Sequence, residues 1–229
     1  MAVGHLDIDD DIDDFADITA PLLHDRTYRV RVYYEGPDRM RLRGMVRDRK
    51  PAGLYVPHDP KPLMVHHMVV DLVVAYPTLE IVDASAVLET HPHEECPRIQ
   101  DHYKNLVGLS IARGFTHKIR ELFGGPRGCT HTTALLQAMA PAAVQATWSM
   151  RSMAPAGDPV APPRRMTAEE RRASMRFNLD TCHVWDSQGE LVHQVMELGH
   201  DVPPPLWIEE RFRELGLDPE TWTTRMRGE

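Results

Sequence analysis

The chain has 229 residues and a formal net charge of −8, of which seven aspartates (Asp7, Asp9, Asp10, Asp11, Asp13, Asp14, Asp17) sit in the first 20 residues without a single Lys or Arg. The remainder is nearly neutral, 27 acidic against 26 basic residues, which argues against a nucleic-acid binder needing a basic surface to release counterions from phosphates. No stretch reaches the roughly 18 apolar residues of a membrane span, and Cys96, Cys129 and Cys182 are too few for a disulfide framework. The expectation is a cytoplasmic protein with reduced thiols and with neither membrane nor nucleic acid as partner.

Residues 1–25 read as an acidic, partly disordered tail. Asp9, Asp11 and Asp13 alternate as calcium ligands do, but the glycine and closing glutamate of an EF-hand loop are missing. From residue 26 the pattern is that of paired strands. Tyr28, Val30, Val32 and Tyr34 alternate with Arg29, Arg31 and Tyr33; Glu35-Gly36-Pro37-Asp38 supplies turn chemistry; and Met40, Leu42, Gly44 and Val46 alternate with arginines. This predicts a hairpin with one cationic face. Met68 to Tyr76 and Leu79 to Leu88, separated by Pro77, predict a second and more buried hairpin.

The period then lengthens to that of helices over 95–106, 114–123 and 130–150. In the last, Leu135, Leu136, Met139, Ala143, Val144 and Trp148 form an apolar stripe, with a kink expected at Pro141. Residues 154–163 are proline-rich and read as an exposed loop. Thr167-Ala168-Glu169-Glu170 has the form of a capping box. Residues 177–185 and 191–196, flanking Asp186-Ser187-Gln188-Gly189, predict a third hairpin, and 206–215 an amphipathic helix, with a further short helix opening at Asp218-Pro219-Glu220. The expected class is α+β, a largely antiparallel sheet built from hairpins with helices packed on one face, folded as a single domain over 26–198 and followed by a helical extension over 199–229. Sheet edges left open are compatible with a homodimer.

The chemistry-bearing residues concentrate in Gly128-Cys129-Thr130-His131, at the expected start of the long helix, where free backbone N–H groups and the dipole favour negative charge. His131 suits a general base if a carboxylate fixes its tautomer, with Asp48 or Asp180 in that role; a histidine there also serves simply as a helix cap. Cys129 next to it reads either as a nucleophile or as a small packing residue, and i, i+2 positions in a helical first turn bring two side chains together only with distortion. Arg47 and Asp48 close a strand, where Arg47 can hold a carboxylate or phenolate through its fork. Of His66 and His67, strand alternation turns one inward. Tryptophans and tyrosines, Tyr34 among them, are candidates to line an apolar pocket for a planar ligand. Cys96, Cys129, His131 and Cys182 have the right ligand types for zinc, but their spacing matches no zinc pattern, and no cofactor is expected. His91-Pro92-His93-Glu94-Glu95-Cys96 fits a loop as well as a metal cluster.

Taken in order, Arg47-Asp48-Arg49-Lys50-Pro51, His66-His67-Met68, Cys96-Pro97, Leu106-Val107-Gly108-Leu109, Gly128-Cys129-Thr130-His131 and Leu179-Asp180-Thr181-Cys182-His183 resemble a catalogued bacterial domain family of unknown function over about residues 26–198. Some members of that family are associated with the breakdown of aromatic compounds. The shared motif favours His67 as the inward histidine. The resemblance implies an aromatic-catabolism context and no settled activity; with no nucleotide-binding motif in the chain, the expectation is a small cofactor-independent enzyme, specifically a lyase that releases formaldehyde from the hydroxymethyl side chain of a lignin-derived phenol. In it His131 is the base, His67 assists, Asp48 orients an imidazole, and Arg47, Cys129 and Tyr34 bind substrate. A non-catalytic ligand-binding or assembly protein and a zinc-dependent hydrolase are the alternatives.

Overall fold

A computed structural model describes residues 17–153, 167–175, 178–200 and 202–221; most of the acidic tail and all of the proline-rich segment 154–163 lie outside them. Four strands, β1 (Asp25–Tyr34), β2 (Arg39–Lys50), β3 (Leu63–Ala75) and β4 (Ile81–Thr90), form an antiparallel meander in the order β1-β2-β3-β4. Both expected hairpins are therefore present, and the fold is the expected α+β. A cis Tyr76–Pro77 peptide lies in the turn that joins β3 to β4. Alternation decides the faces: Met40, Leu42 and Val46 of β2 and Met68, Val70, Leu72 and Val74 of β3 are buried, while the arginines between the β2 residues point outward.

A 3-10 stretch, Cys96–Leu106, packs against β4, and helices α1 (Phe115–Phe123) and α2 (Thr130–Met153) follow. The long helix α2 runs through Pro141 and lies across β1, β2 and β3. It comes close to the sheet at Gly44, where a Cβ atom would stand 2.6 Å from Met139 Sδ. Leu135, Leu136, Met139 and Ala143 of α2 thus join Tyr103, Phe115, Ile119 and Phe123 in one core over the even-numbered face of the sheet. The opposite face carries no helix among the described residues and is tied by ion pairs such as Arg43–Asp71 and Arg41–Glu35.

A second, smaller core gathers Met175, Val192, Val195 and Met196 from α3 (Ala168–Met175) and α4 (Glu190–Met196). The capping box is realised: the Thr167 N–H donates to Glu170 Oε2 at 2.8 Å, and the Glu170 N–H to Thr167 Oγ1 at 3.2 Å. The third hairpin is not. Residues 178–185 form turns and a short 3-10 segment, and 190–196 is helical. Leu191, Val192, Val195 and Met196 follow the spacing of one helix face, which prevails over their strand propensity. Helix α5 (Leu206–Glu214) occupies the expected position in the C-terminal extension.

Candidate functional site

The even-numbered face continues beyond its apolar part. Register places Arg26 of β1 opposite Asp48 of β2, and Asp48 opposite His66 of β3, so three polar side chains form one cross-strand row on the face that α2 covers. Irregularities in pairing between Asp48 and Arg49, and between His67 and Met68, fall beside this row. Helix α2 delivers His131 to the row from above. Its start is fixed by close backbone packing: a Cβ at Gly128 would lie 2.4 Å from the Phe123 carbonyl oxygen, and the Thr133 hydroxyl donates to the same oxygen at 3.2 Å. The N–H of Cys129 donates to the buried Tyr103 hydroxyl at 2.8 Å.

Asp48 is the hub. Only 1% of it is exposed, and its carboxylate accepts both arms of the Arg26 guanidinium, at 2.6 and 2.7 Å. It also lies 3.0 Å from His66 Nδ1, 3.2 Å from His131 Nε2 and 3.3 Å from His24 Nε2. The rings of His66 and His131 stack with centroids 3.8 Å apart. Burial alone would raise the carboxyl's pKa, but the Arg26 hydrogen bonds and charge prevail, helped by the imidazoles, and lower it to about 2. Both imidazoles are held below the ordinary histidine range, chiefly by burial; for His66 the neighbouring His131 adds to this, and for both rings Asp48 opposes it.

An ionised carboxylate only accepts hydrogen bonds, so each neutral ring must turn its N–H toward Asp48. The hydrogen bond at 3.0 Å puts the proton of His66 on Nδ1, and the carboxylate 3.2 Å from His131 Nε2 favours the proton of that ring on Nε2. Bare lone pairs remain on His66 Nε2 and His131 Nδ1, and the latter faces Cys129 Sγ at 3.7 Å. These are two bases with fixed tautomers in one half-buried site.

The structure brings together Asp48, His131 and Cys129 among the residues singled out from sequence. Cys129 reaches His131 without helical distortion because it precedes α2 rather than standing in its first turn. His67 is not the inward histidine: with Arg47 it occupies the odd-numbered, outer face, where Arg47 Nε lies 3.4 Å from His67 Nε2. Tyr34 sits opposite Met40 at the far end of β1, eight residues or roughly 26 Å along the strand from Arg26. Asp180 accepts from the Ser187 N–H at 2.9 Å and serves a turn, not His131.

Of the four zinc-type ligands considered from sequence, Cys129 and His131 adjoin, but neither Cys96 nor Cys182 joins them in a ligating group among the described residues. Cys96 packs on the main core, and Cys182 is exposed beside the second. Among the described residues, the group whose donor atoms lie within 4.8 Å of one another is Asp48, His66 and His131. Sequence reasoning missed His24, Arg26 and Tyr103, and set His66 aside in favour of His67. Two surface depressions, of about 510 Å³ around Ile99, His102 and Leu122 and about 490 Å³ around Arg39, Arg41 and Asp83, do not include the histidine row. We place the site at the row nonetheless, because the converging polar groups are there and the depressions hold no comparable cluster. Side chains of α2 fill the space between helix and sheet. The β2–β3 connection, which begins three residues after Asp48, carries exposed Leu54, Tyr55 and Val56.

Residues 24–145 match the family described as "Protein of unknown function (DUF2889)", more than half of the chain, and the chain belongs to that family. The matched residues include the whole row and the start of α2 and end before Leu179–His183. No curated protein and no solved structure matches the chain.

Proposed function

We propose that this DUF2889 protein is an acid–base enzyme whose bases are His131 and His66, held by Asp48. The reading rests above all on one observation: a buried carboxylate stands 3.0 Å from His66 Nδ1 and 3.2 Å from His131 Nε2, so that the other nitrogen of each ring is turned away from it. Within it, the reaction we assign is the release of formaldehyde from a hydroxymethyl side chain of a phenolic, lignin-derived substrate. One imidazole takes the hydroxyl proton, the carbon–carbon bond to the hydroxymethyl carbon breaks, and formaldehyde leaves. The electron pair stays on the aromatic fragment, which is protonated by the imidazolium. His66 takes the assisting role that the sequence suggested for His67. The connection that leaves β2 shortly after Asp48 carries exposed Leu54, Tyr55 and Val56, apolar surface of the kind an aromatic substrate can lie on.

The test is formaldehyde release from a panel of hydroxymethyl-bearing phenolic dimers by purified protein. His131→Ala and His66→Ala should each reduce the rate by about 10²-fold or more, the usual contribution of a positioned acid–base group. His67→Ala should leave it unchanged. Equal turnover by His131→Ala and wild type sinks the assignment.

A second reading is a divalent metal held by Asp48, His66 and His131, favoured by the closeness of their donor atoms. The Arg26 guanidinium against both carboxylate oxygens opposes it, because a cation there meets a fixed positive charge. Stoichiometric zinc in protein purified without added metal, lost in His66→Ala, would reverse our preference.

A further inference from the structure

We infer that Cys129 is a nucleophile of the same site, and that it adds reversibly to a small aldehyde. Three features of the chain converge on its sulfur. First, Cys129 is pinned immediately ahead of α2: its carbonyl accepts the first helical hydrogen bond from the Thr133 N–H at 2.9 Å, and its own N–H is held by the Tyr103 hydroxyl. The positive end of a 24-residue helix therefore lies at the thiol. Second, the sulfur is 3.7 Å from His131 Nδ1, which is the nitrogen left bare. Third, His131 Nε2 is engaged by Asp48 at 3.2 Å, so carboxylate, imidazole and thiol stand in series. That is the order of contacts by which a base oriented by a third group activates a nucleophile. It arises here although Cys129 and His131 are two residues apart, because one lies outside the helix and the other within it. Among the described residues, neither Cys96 nor Cys182 hydrogen-bonds to an imidazole.

The addition balances without a further reagent. The thiol proton passes to His131 Nδ1, sulfur forms a bond to the carbonyl carbon, and the π pair moves to the carbonyl oxygen. That oxygen takes the proton back from the imidazolium, and the product is a hemithioacetal. A half-buried sulfur beside two stacked rings admits a small carbonyl most readily. The aldehyde in question is the formaldehyde of the proposed lyase reaction. The identity of the electrophile rests on that reading; the reactivity of the thiol does not.

Two measurements on the full chain test this. Iodoacetamide at pH 7, with peptide mapping of all three cysteines in one sample, should alkylate Cys129 about ten-fold faster than the more exposed Cys182, because a base assists only the former. His131→Gln should bring Cys129 to or below the rate of Cys182. Carbon-13 formaldehyde should then give a hemithioacetal resonance with wild type and with Cys182→Ser, and none with Cys129→Ser. Cys129 no faster than Cys182, an unchanged rate in His131→Gln, or a resonance that survives Cys129→Ser overturns the inference. If His131→Gln does not fold, the order of cysteines in the wild type decides. Both probes are supplied directly, so the thiol can pass while phenolic turnover fails, and the two failures are told apart.

Discussion

The sheet carries the same ion pair on both of its faces, with different surroundings. Arg26 and Asp48 join β1 to β2 on the face under α2; Arg43 and Asp71 join β2 to β3 on the open face, also bidentate, at 2.8 and 3.0 Å. Asp48 is 1% exposed and Asp71 19%, with its arginine 61% exposed. Around Asp48 three imidazoles converge within 3.3 Å; the open-face pair gathers none. Identical residue types thus anchor a buried histidine cluster on one face and a surface tie on the other. The difference is made by α2, which excludes water and contributes His131. Charge pairs screened by solvent contribute little, whereas a paired buried carboxylate cannot lose its partners cheaply.

The largest expected effect tests that contrast directly. Asp48→Ala removes the buried carboxylate on which Arg26 and the imidazoles converge and should lower unfolding free energy by about 2 kcal/mol, the scale of its acid linkage. Asp71→Ala should cost about 0.5 kcal/mol or less. Urea midpoints measure both. Equal losses would mean that cover by α2 does not distinguish the two faces.

Acid should remove the contribution of Asp48. The Asp48 carboxyl goes from 3.8 when unfolded to about 2 in the folded chain. Its contribution is present above the unfolded value and is lost as pH falls through the folded one, because the unfolded chain binds the proton first. Roughly 2 kcal/mol should disappear between about pH 4 and pH 2. Asp48→Ala should flatten that part of the stability curve, followed by urea midpoints against pH.

How far such a site is legible in the chain depends on where alternation is clean. In β1 and β2 the apolar residues alternate with arginines, and carrying the even-numbered series one step further reaches Arg26 at one end and Asp48 at the other. That step would also have set Arg47 on the opposite face from Asp48. In β3 the signal fails, because Val69 and Val73 on the outer face are as apolar as Val70 and Val74 on the inner one. A uniformly apolar strand does not say which of His66 and His67 turns inward. The Tyr103 hydrogen bond that pins Cys129 joins residues 26 apart through tertiary packing, and no local pattern reports it. The third hairpin failed for the opposite reason: its turn residues were real, but the segment after Gly189 is short enough for both periods to fit.

A smaller effect comes from the segment that presents α2. Gly128→Ala places a Cβ against the Phe123 carbonyl oxygen, where the neighbour is backbone and yields only by moving. A loss of about 1.5 kcal/mol is expected, the scale of an overpacked contact. Because the strain sits beside Cys129 and His131, activity should fall while the Arg43–Asp71 face is untouched. A variant with full activity would show that the start of α2 need not be held so closely.

The smallest effects concern the two neighbouring histidines, and they should differ in sign. His66 and His67 both titrate below 6.5, mainly through burial. The unfolded chain therefore takes their protons first, so their contribution to stability is complete above that pH and lessens as pH falls below it. The second influences are opposite. Asp48 raises the pKa of His66, whereas the charge of Arg47 lowers that of His67. Asp48→Asn should move the His66 titration further down, and Arg47→Ala should move that of His67 up toward the ordinary value, with folding barely changed in the second variant. Proton resonances of the two rings, followed against pH, read both at once. If the two rings shift the same way, His66 and His67 do not face different environments, and assigning one to the site and the other to the surface fails.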